Sequence, residues 1–292
     1  MTPVDRINLK ISTIKNLPDL PAANLKIIEA MNDPDISINN LTAAISVSPV
    51  LVGRLLGLAN SAYFGCAGNI SDLRIAIIRV LGLDLVKSLA MGVVLNLALD
   101  TRKCSEFNSE RFWMDALLTA TLSQQFSTLL HDEALAPSTL HTAGLLLNIG
   151  LIAAVYLLPE DANRVLLNSR KNSTSVATEM TCLLGKNQYE LGGLLLAHWH
   201  LPSTYVTAIK EFKNSAYCGE EKKMIDLLAL CFALAKKILS DRHEELPPLI
   251  TKLKSFGLSA SVVKPVIKRI LARKDNIYAA ALAITRNSHA KG

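Results

Sequence analysis

The sequence predicts an all-α, multi-helical protein, and three observations carry that expectation. Half of the 292 residues are hydrophobic but only 5% are aromatic, the Leu-, Ala-, Ile- and Val-rich balance of helices packed on helices. Glycine and proline are sparse and fall between apolar segments. Apolar residues recur at helical spacing, and no segment sustains period-2 alternation with β-branched enrichment, so no sheet is expected.

The elements follow in order. Ser37 before Ile38-Asn39-Asn40-Leu41 and Ser48-Pro49 before Val50 read as helix starts, the second with proline at the first helical position. Ser71-Asp72 opens a segment in which Leu73, Ala76, Ile77, Val80 and Leu81 form one apolar face, and Gly82 closes it. From Asp84 to about Leu99 the chain is apolar nearly all round, which places that helix centrally. A polar loop at 100–110 separates it from a helix over 111–130. A loop at 134–138 then leads into a buried helical stretch over 144–158. Further helices are expected at 161–170, 175–184, 188–198, 203–212, 224–240, 246–256, 261–273 and 276–285. The lapse of apolar periodicity at 100–110 marks a soft boundary between an N-terminal helical subdomain, 1–100, and a second region, 101–292. No internal repeats are evident.

Composition narrows the function classes. A net charge of +6 spread over this length permits contact with nucleic acid without arguing for it, so nucleic acid is not an expected partner. Cys66, Cys104, Cys182, Cys218 and Cys231 are odd in number and widely spaced, with no C-x-x-C, so reduced thiols in a cytoplasmic protein are expected. Met1-Thr2-Pro3-Val4-Asp5 lacks the basic and apolar regions of a signal peptide. Leu85–Leu99 carries Lys87 and Asn96, and Ala143–Leu158 carries Asn148 and stops at Pro159. A span needs roughly 20 apolar residues, so both stretches are expected to be core helices, with no membrane span.

Five blocks of sequence occur in a telling order. They are Leu17-Pro18-Asp19-Leu20-Pro21 with Asp33-Pro34-Asp35; Ile45-Ser46-Val47-Ser48-Pro49 through Arg54-Leu55-Leu56 to Ala59-Asn60-Ser61-Ala62-Tyr63-Phe64-Gly65; Ile70-Ser71-Asp72-Leu73 with Ala76-Ile77 and Leu81-Gly82; Ala143-Gly144-Leu145-Leu146-Leu147-Asn148-Ile149-Gly150; and Leu184-Gly185 with Glu190-Leu191-Gly192 and Trp199-His200-Leu201-Pro202. Together they resemble the HDOD family, the HD-related output domain of bacterial signalling proteins. The resemblance runs from about residue 15 to 212; beyond that only helicity matches. It implies an N-terminal helical bundle packed on a core related to HD-type metal phosphohydrolases, and a role in signal transduction.

An HD phosphohydrolase needs imidazole and carboxylate groups converging on a divalent metal that activates water. Aligned on the resemblance, the His-Asp doublet falls on Leu147-Asn148, the preceding histidine at or near Asp115, and the later histidine pair on Glu211-Phe212. A hydrocarbon and a neutral amide are poor replacements, so no metal, no cofactor and no catalytic residue is expected, and Asp115, Leu147 and Asn148 are vestigial positions. His131-Asp132 is a literal doublet but reads as a helix end, where a histidine is favoured by the helix dipole. His198 and His200 are two apart, about 200° around a helix, and splay. His141 is expected to cap a helix or face solvent. No nucleophile–base pairing, G-x-S-x-G or phosphate-cradling glycine loop is present.

Asn60, Ser61, Tyr63, Phe64 and Gly65 form a turn between helices, with two readings. Its polar groups satisfy helix ends while its aromatics plug the core, or it lines a partner or ligand surface. Residues 45–56 have a helix-turn-helix cadence, but the second helix offers only Arg54, whereas DNA readers present several cations. Lys264, Lys268 and Arg269 give a positive helix face, expected to be solvated. The function expected is a non-enzymatic regulatory module that binds another signalling protein. Two alternatives stay open: a degenerate metal-dependent phosphohydrolase acting on a nucleotide or phosphoester, and a signalling-nucleotide sensor using the vacated metal pocket.

Overall fold

A computed structural model describes residues 22–33, 35–60, 64 and 70–285, and among these there are helices and no strand. In chain order the helices are α1 (Ala22–Asn32), α2 (Ile38–Ser46), α3 (Pro49–Ala59), α4 (Leu73–Ala76), α5 (Leu83–Ala98), α6 (Ser109–Leu130), α7 (Pro137–Leu146), α8 (Ile149–Leu157), α9 (Pro159–Asn172), α10 (Val176–Leu184), α11 (Gln188–His198), α12 (Ser203–Lys210), α13 (Lys222–Leu239), α14 (Leu246–Lys252), α15 (Ala260–Leu271) and α16 (Lys274–Thr285).

The predicted starts are local chemistry and form as expected. The Ser37 hydroxyl accepts from the amide of Asn40 at 3.1 Å, the Ser48 hydroxyl from Leu51 at 3.3 Å, and the Asp72 carboxylate from Ile75 at 2.9 Å. Gly82 ends the α4 segment at φ +77°, where a side chain would be strained. Two expectations need correction. The segment 73–81 is regular α-helix only to Ala76 and continues as a π-helical turn over Ile77–Leu81. The stretch 144–158 is two helices, because α7 starts at Pro137 and the chain breaks at Leu147-Asn148. Residues 133–157 are long and apolar enough to cross a membrane by length and composition, but 67% of the apolar window is buried in the protein.

Contacts divide the chain into two compact units, and both are discontinuous. The smaller gathers Ala98–Ser109 with Leu146–Ala229; the larger gathers Pro21–Leu97, Glu110–Leu145 and Leu230–Gly292. This differs from a split at 100–110, because the tail is not an appendage. α15 buries Val263, Val266, Ile267 and Ile270, and α16 buries Ala279, Ala280, Ala281 and Ile284. Ile284 lies so close to α5 that a Cβ on Gly92 would come within 2.7 Å of its Cδ1. The Ile284 carbonyl accepts from Arg54 Nη1 at 2.5 Å and from Asn96 Nδ2 at 3.2 Å.

In the smaller unit the tightest packing is glycine-mediated. A Cβ on Gly150 would sit 2.1 Å from the carbonyl oxygen of Gln188 and 2.3 Å from the amide nitrogen of Gly192, so α8 and α11 touch backbone to backbone. A Cβ on Gly193 would come 2.6 Å from the side-chain Cβ of Lys210 on α12 and 3.2 Å from its Cα. Cys104, Val155, Ala162 and Leu166 form a further apolar cluster.

Candidate functional site

The positions assigned to metal ligands fall in different units and are described separately. In the smaller unit Leu147 is fully buried, and Asn148 is the residue before α8. Its backbone carbonyl accepts from the Leu151 amide at 2.9 Å, while its side chain makes no capping bond. Phe212, at the later histidine position, packs its ring 4.7 Å from that of Tyr189, and burial pushes the Tyr189 phenol well up. Glu211 accepts from Asn214 Nδ2 at 2.7 Å and lies 3.7 Å from Lys210 Nζ.

In the larger unit Asp115 is only 6% exposed, on the inner face of α6. Lys236, on α13, donates to its Oδ2 at 2.5 Å, and Arg111 Nε lies 3.9 Å from Oδ1. Lys236 also sits 5.2 Å over the Phe232 ring, and Arg111 is oriented by donating to the Leu239 carbonyl at 3.0 Å. The cation beside this carboxylate is therefore an ammonium from the chain itself. Sequence reasoning missed Lys236, because 121 residues separate the partners and no local motif marks the pair.

These residues do not fit a divalent ion. Asp115 Oδ2 already accepts from an ammonium and only its Oδ1 is without a hydrogen bond, a single oxygen donor; Leu147 has no lone pair, and the Asn148 amide is neutral. Among the described residues no group of three or more His, Cys, Asp or Glu side chains is placed to hold a metal.

The remaining candidates divide clearly. His131 follows α6 at φ +50° with Nδ1 3.2 Å from the Leu129 carbonyl, and Asp132 accepts from the Ala134 amide at 2.9 Å, so both shape a helix end. Arg54 is directed to the Ile284 carbonyl. Asn60 clamps its loop: Nδ2 donates to the carbonyls of Leu56 at 3.0 Å and Ile70 at 2.8 Å, and Oδ1 accepts from the Ile70 amide at 2.7 Å. Phe64 is half-buried at the edge of a cleft. Ser61, Tyr63 and Gly65 lie outside the described residues.

His141 departs from expectation. Because α7 begins at Pro137, residue 141 lies on the helix, part-buried, with its ring nitrogens turned to α5 and α6. Its Nδ1 is 3.0 Å from Gln124 Oε1 and its Nε2 is hydrogen-bonded to Ser88. Gln124 donates through Nε2 to Asp84 at 2.7 Å, which turns its Oε1 towards Nδ1 of His141, and the Ser88 hydroxyl beside Nε2 donates to the Asp84 carbonyl at 2.7 Å. Desolvation pushes the imidazole down to about 4, opposed by the charge of Asp84. Among the thiols, burial pushes Cys231 up to about 12 and raises Cys104, so neither is a ready nucleophile.

Helices without strands, carrying this motif order, define an all-helical fold of the HD-related class. Solved structures agree on the fold. A candidate signal transduction protein from Marinobacter aquaeolei VT8 is 22% identical, with a TM-score of 0.76 over 97% of this chain and 66% of its own. A candidate phosphohydrolase from Shewanella amazonensis SB2B is 23% identical, with a TM-score of 0.71 over 95% of this chain and 98% of its own. An HDOD domain protein of unknown function from Geobacter sulfurreducens is 21% identical, at 0.71 over 97% and 99%. An uncharacterized protein from Treponema pallidum is 29% identical over 214 residues, 72% of this chain, which spans only 40% of that relative. The HDOD domain matches residues 17–215, and the chain belongs to the HDOD family, which is related to the HD phosphohydrolases.

Proposed function

We propose that this chain is a non-enzymatic signal-transduction module that works by binding another signalling protein in the cytoplasm. The observation that carries the reading is Asp115, whose Oδ2 accepts from Lys236 and whose Oδ1, although without a hydrogen bond, has no cluster of further His, Cys, Asp or Glu ligands beside it among the described residues. Leu147 and Asn148 support it, since neither can supply the charge that grips a catalytic ion. Exposed apolar side chains support the binding role: Ile75 and Ile78, one turn apart along the α4 segment, are 40% and 57% exposed, and Val47, before α3, is 63% exposed.

The test is hydrolysis of a panel of nucleotides and phosphoesters by the full chain with Mn, Ni, Fe or Mg ions. No turnover above buffer is expected. Turnover that Asp115→Ala abolishes would establish the degenerate-hydrolase alternative instead.

A further inference from the structure

The larger unit contains an open cleft of about 520 Å³ that no role above uses. This lies within the roughly 300–1,000 Å³ of small-molecule sites. One wall comes from the α4–α5 junction and α6, the other from α15 and the start of α16, beyond the residues matched by the family. The cleft is not at Leu147-Asn148, which belong to the smaller unit.

Its lining has a definite chemistry. Arg269 and Arg273, four residues apart, both line the cleft, and neither pairs with a carboxylate among the described residues. Two unpaired cations lining one cleft repel, and an anion between them relieves that repulsion; guanidinium geometry matches phosphate oxygens in pairs. The carboxylate in the lining, Asp84, already accepts from Gln124, and His141 is committed to Ser88 and Gln124. The amides of Gln125 and Asn276 remain to offer both donors and acceptors, and Phe64 and Val266 supply apolar surface.

We infer that this cleft binds a nucleotide-class ligand, its phosphate on Arg269 and Arg273, its heteroaromatic body against Phe64 and Val266, and its ring edge on Gln125 and Asn276. An occupant would bridge the C-terminal helices and α6, and so favour the packed arrangement in which Ile284 is anchored by Arg54 and Asn96. The site stands independently of the protein-binding role and moves nucleotide recognition away from the vestigial metal positions.

The experiment is isothermal titration of the full chain with AMP, GMP and cyclic di-GMP, with adenosine, guanosine and inorganic phosphate as controls. At least one nucleotide is expected to bind with Kd below about 1 mM. Its nucleoside and inorganic phosphate should each bind about tenfold or more weakly, since each lacks half of the contacts. The pair Arg269→Gln and Arg273→Gln should weaken nucleotide binding about tenfold without lowering the urea midpoint of the free chain. Asn276→Ala should change the preference between AMP and GMP, and Asn148→Ala should leave binding intact. Three results would each overturn the inference: no nucleotide saturates, the arginine pair makes no difference, or inorganic phosphate binds as tightly as the nucleotides.

Discussion

At Asp115 the chain keeps a carboxylate where the resemblance places a metal-binding histidine, then commits its Oδ2 to Lys236. Removing one partner of such a pair leaves a desolvated charge, whereas replacing both is far milder. Because the Lys236 side chain is 47% exposed, its loss is expected to cost only about 1–3 kcal/mol. Lys236→Met should lower stability by that amount in urea denaturation, and adding Asp115→Asn should restore most of it. An unchanged midpoint in Lys236→Met would show that the pair contributes nothing. His141 gives a pH signature. Its folded value of about 4 lies below the ordinary 6.5, so between those values the unfolded chain binds more protons. Stability is therefore full above about pH 6.5 and falls as pH drops towards 4, by something on the order of 3 kcal/mol. Asp84 and Lys87 share the small recess at His141 and carry charge there. The informative quantity is thus the difference from His141→Gln, which should show a shallower fall over that window.

Helix by helix, the glycines of the motif blocks acquire a packing reason. Gly150 and Gly192 are where α8 and α11 meet with no room for a methyl group, while Gly53 in α3 has nothing within 4 Å of a Cβ. Gly150→Ala should destabilise by more than about 2 kcal/mol through overpacking. Gly53→Ala should be neutral or stabilising by up to about 1 kcal/mol, since alanine is the better helix former. Thermal unfolding of the two variants separates the cases, and equal behaviour would refute the packing argument. What could be read from sequence here was local. The caps at Ser37, Ser48 and Asp72 and the stop at Gly82 depend on neighbours within a few residues. The π turn at Ile77–Leu81 and the break at Leu147-Asn148 did not show, because uninterrupted apolar periodicity looks the same whether the helix continues or yields to tertiary packing.

Over the whole chain, the family match covers residues 17–215, yet the larger compact unit also includes residues 230 onwards. The tail's contribution could not be read from sequence, because Lys236 on Asp115 and Ile284 on Arg54 are contacts across 121 and 230 residues. The candidate positions Asp115, Leu147 and Asn148 were legible only through resemblance, and the partner that redirects Asp115 was not legible at all. His141 was misjudged for the same reason: its environment is assembled by α5 and α6. The regulatory reading rests on the chain carrying its own cation at the position where the HD resemblance places a metal ligand. Equilibrium dialysis of the folded full-length chain against Mn, Ni or Fe ions, followed by elemental analysis, tests that directly. The expected result is far less than one ion per chain, unchanged in Asp115→Ala; one ion per chain, lost in Asp115→Ala, would contradict it.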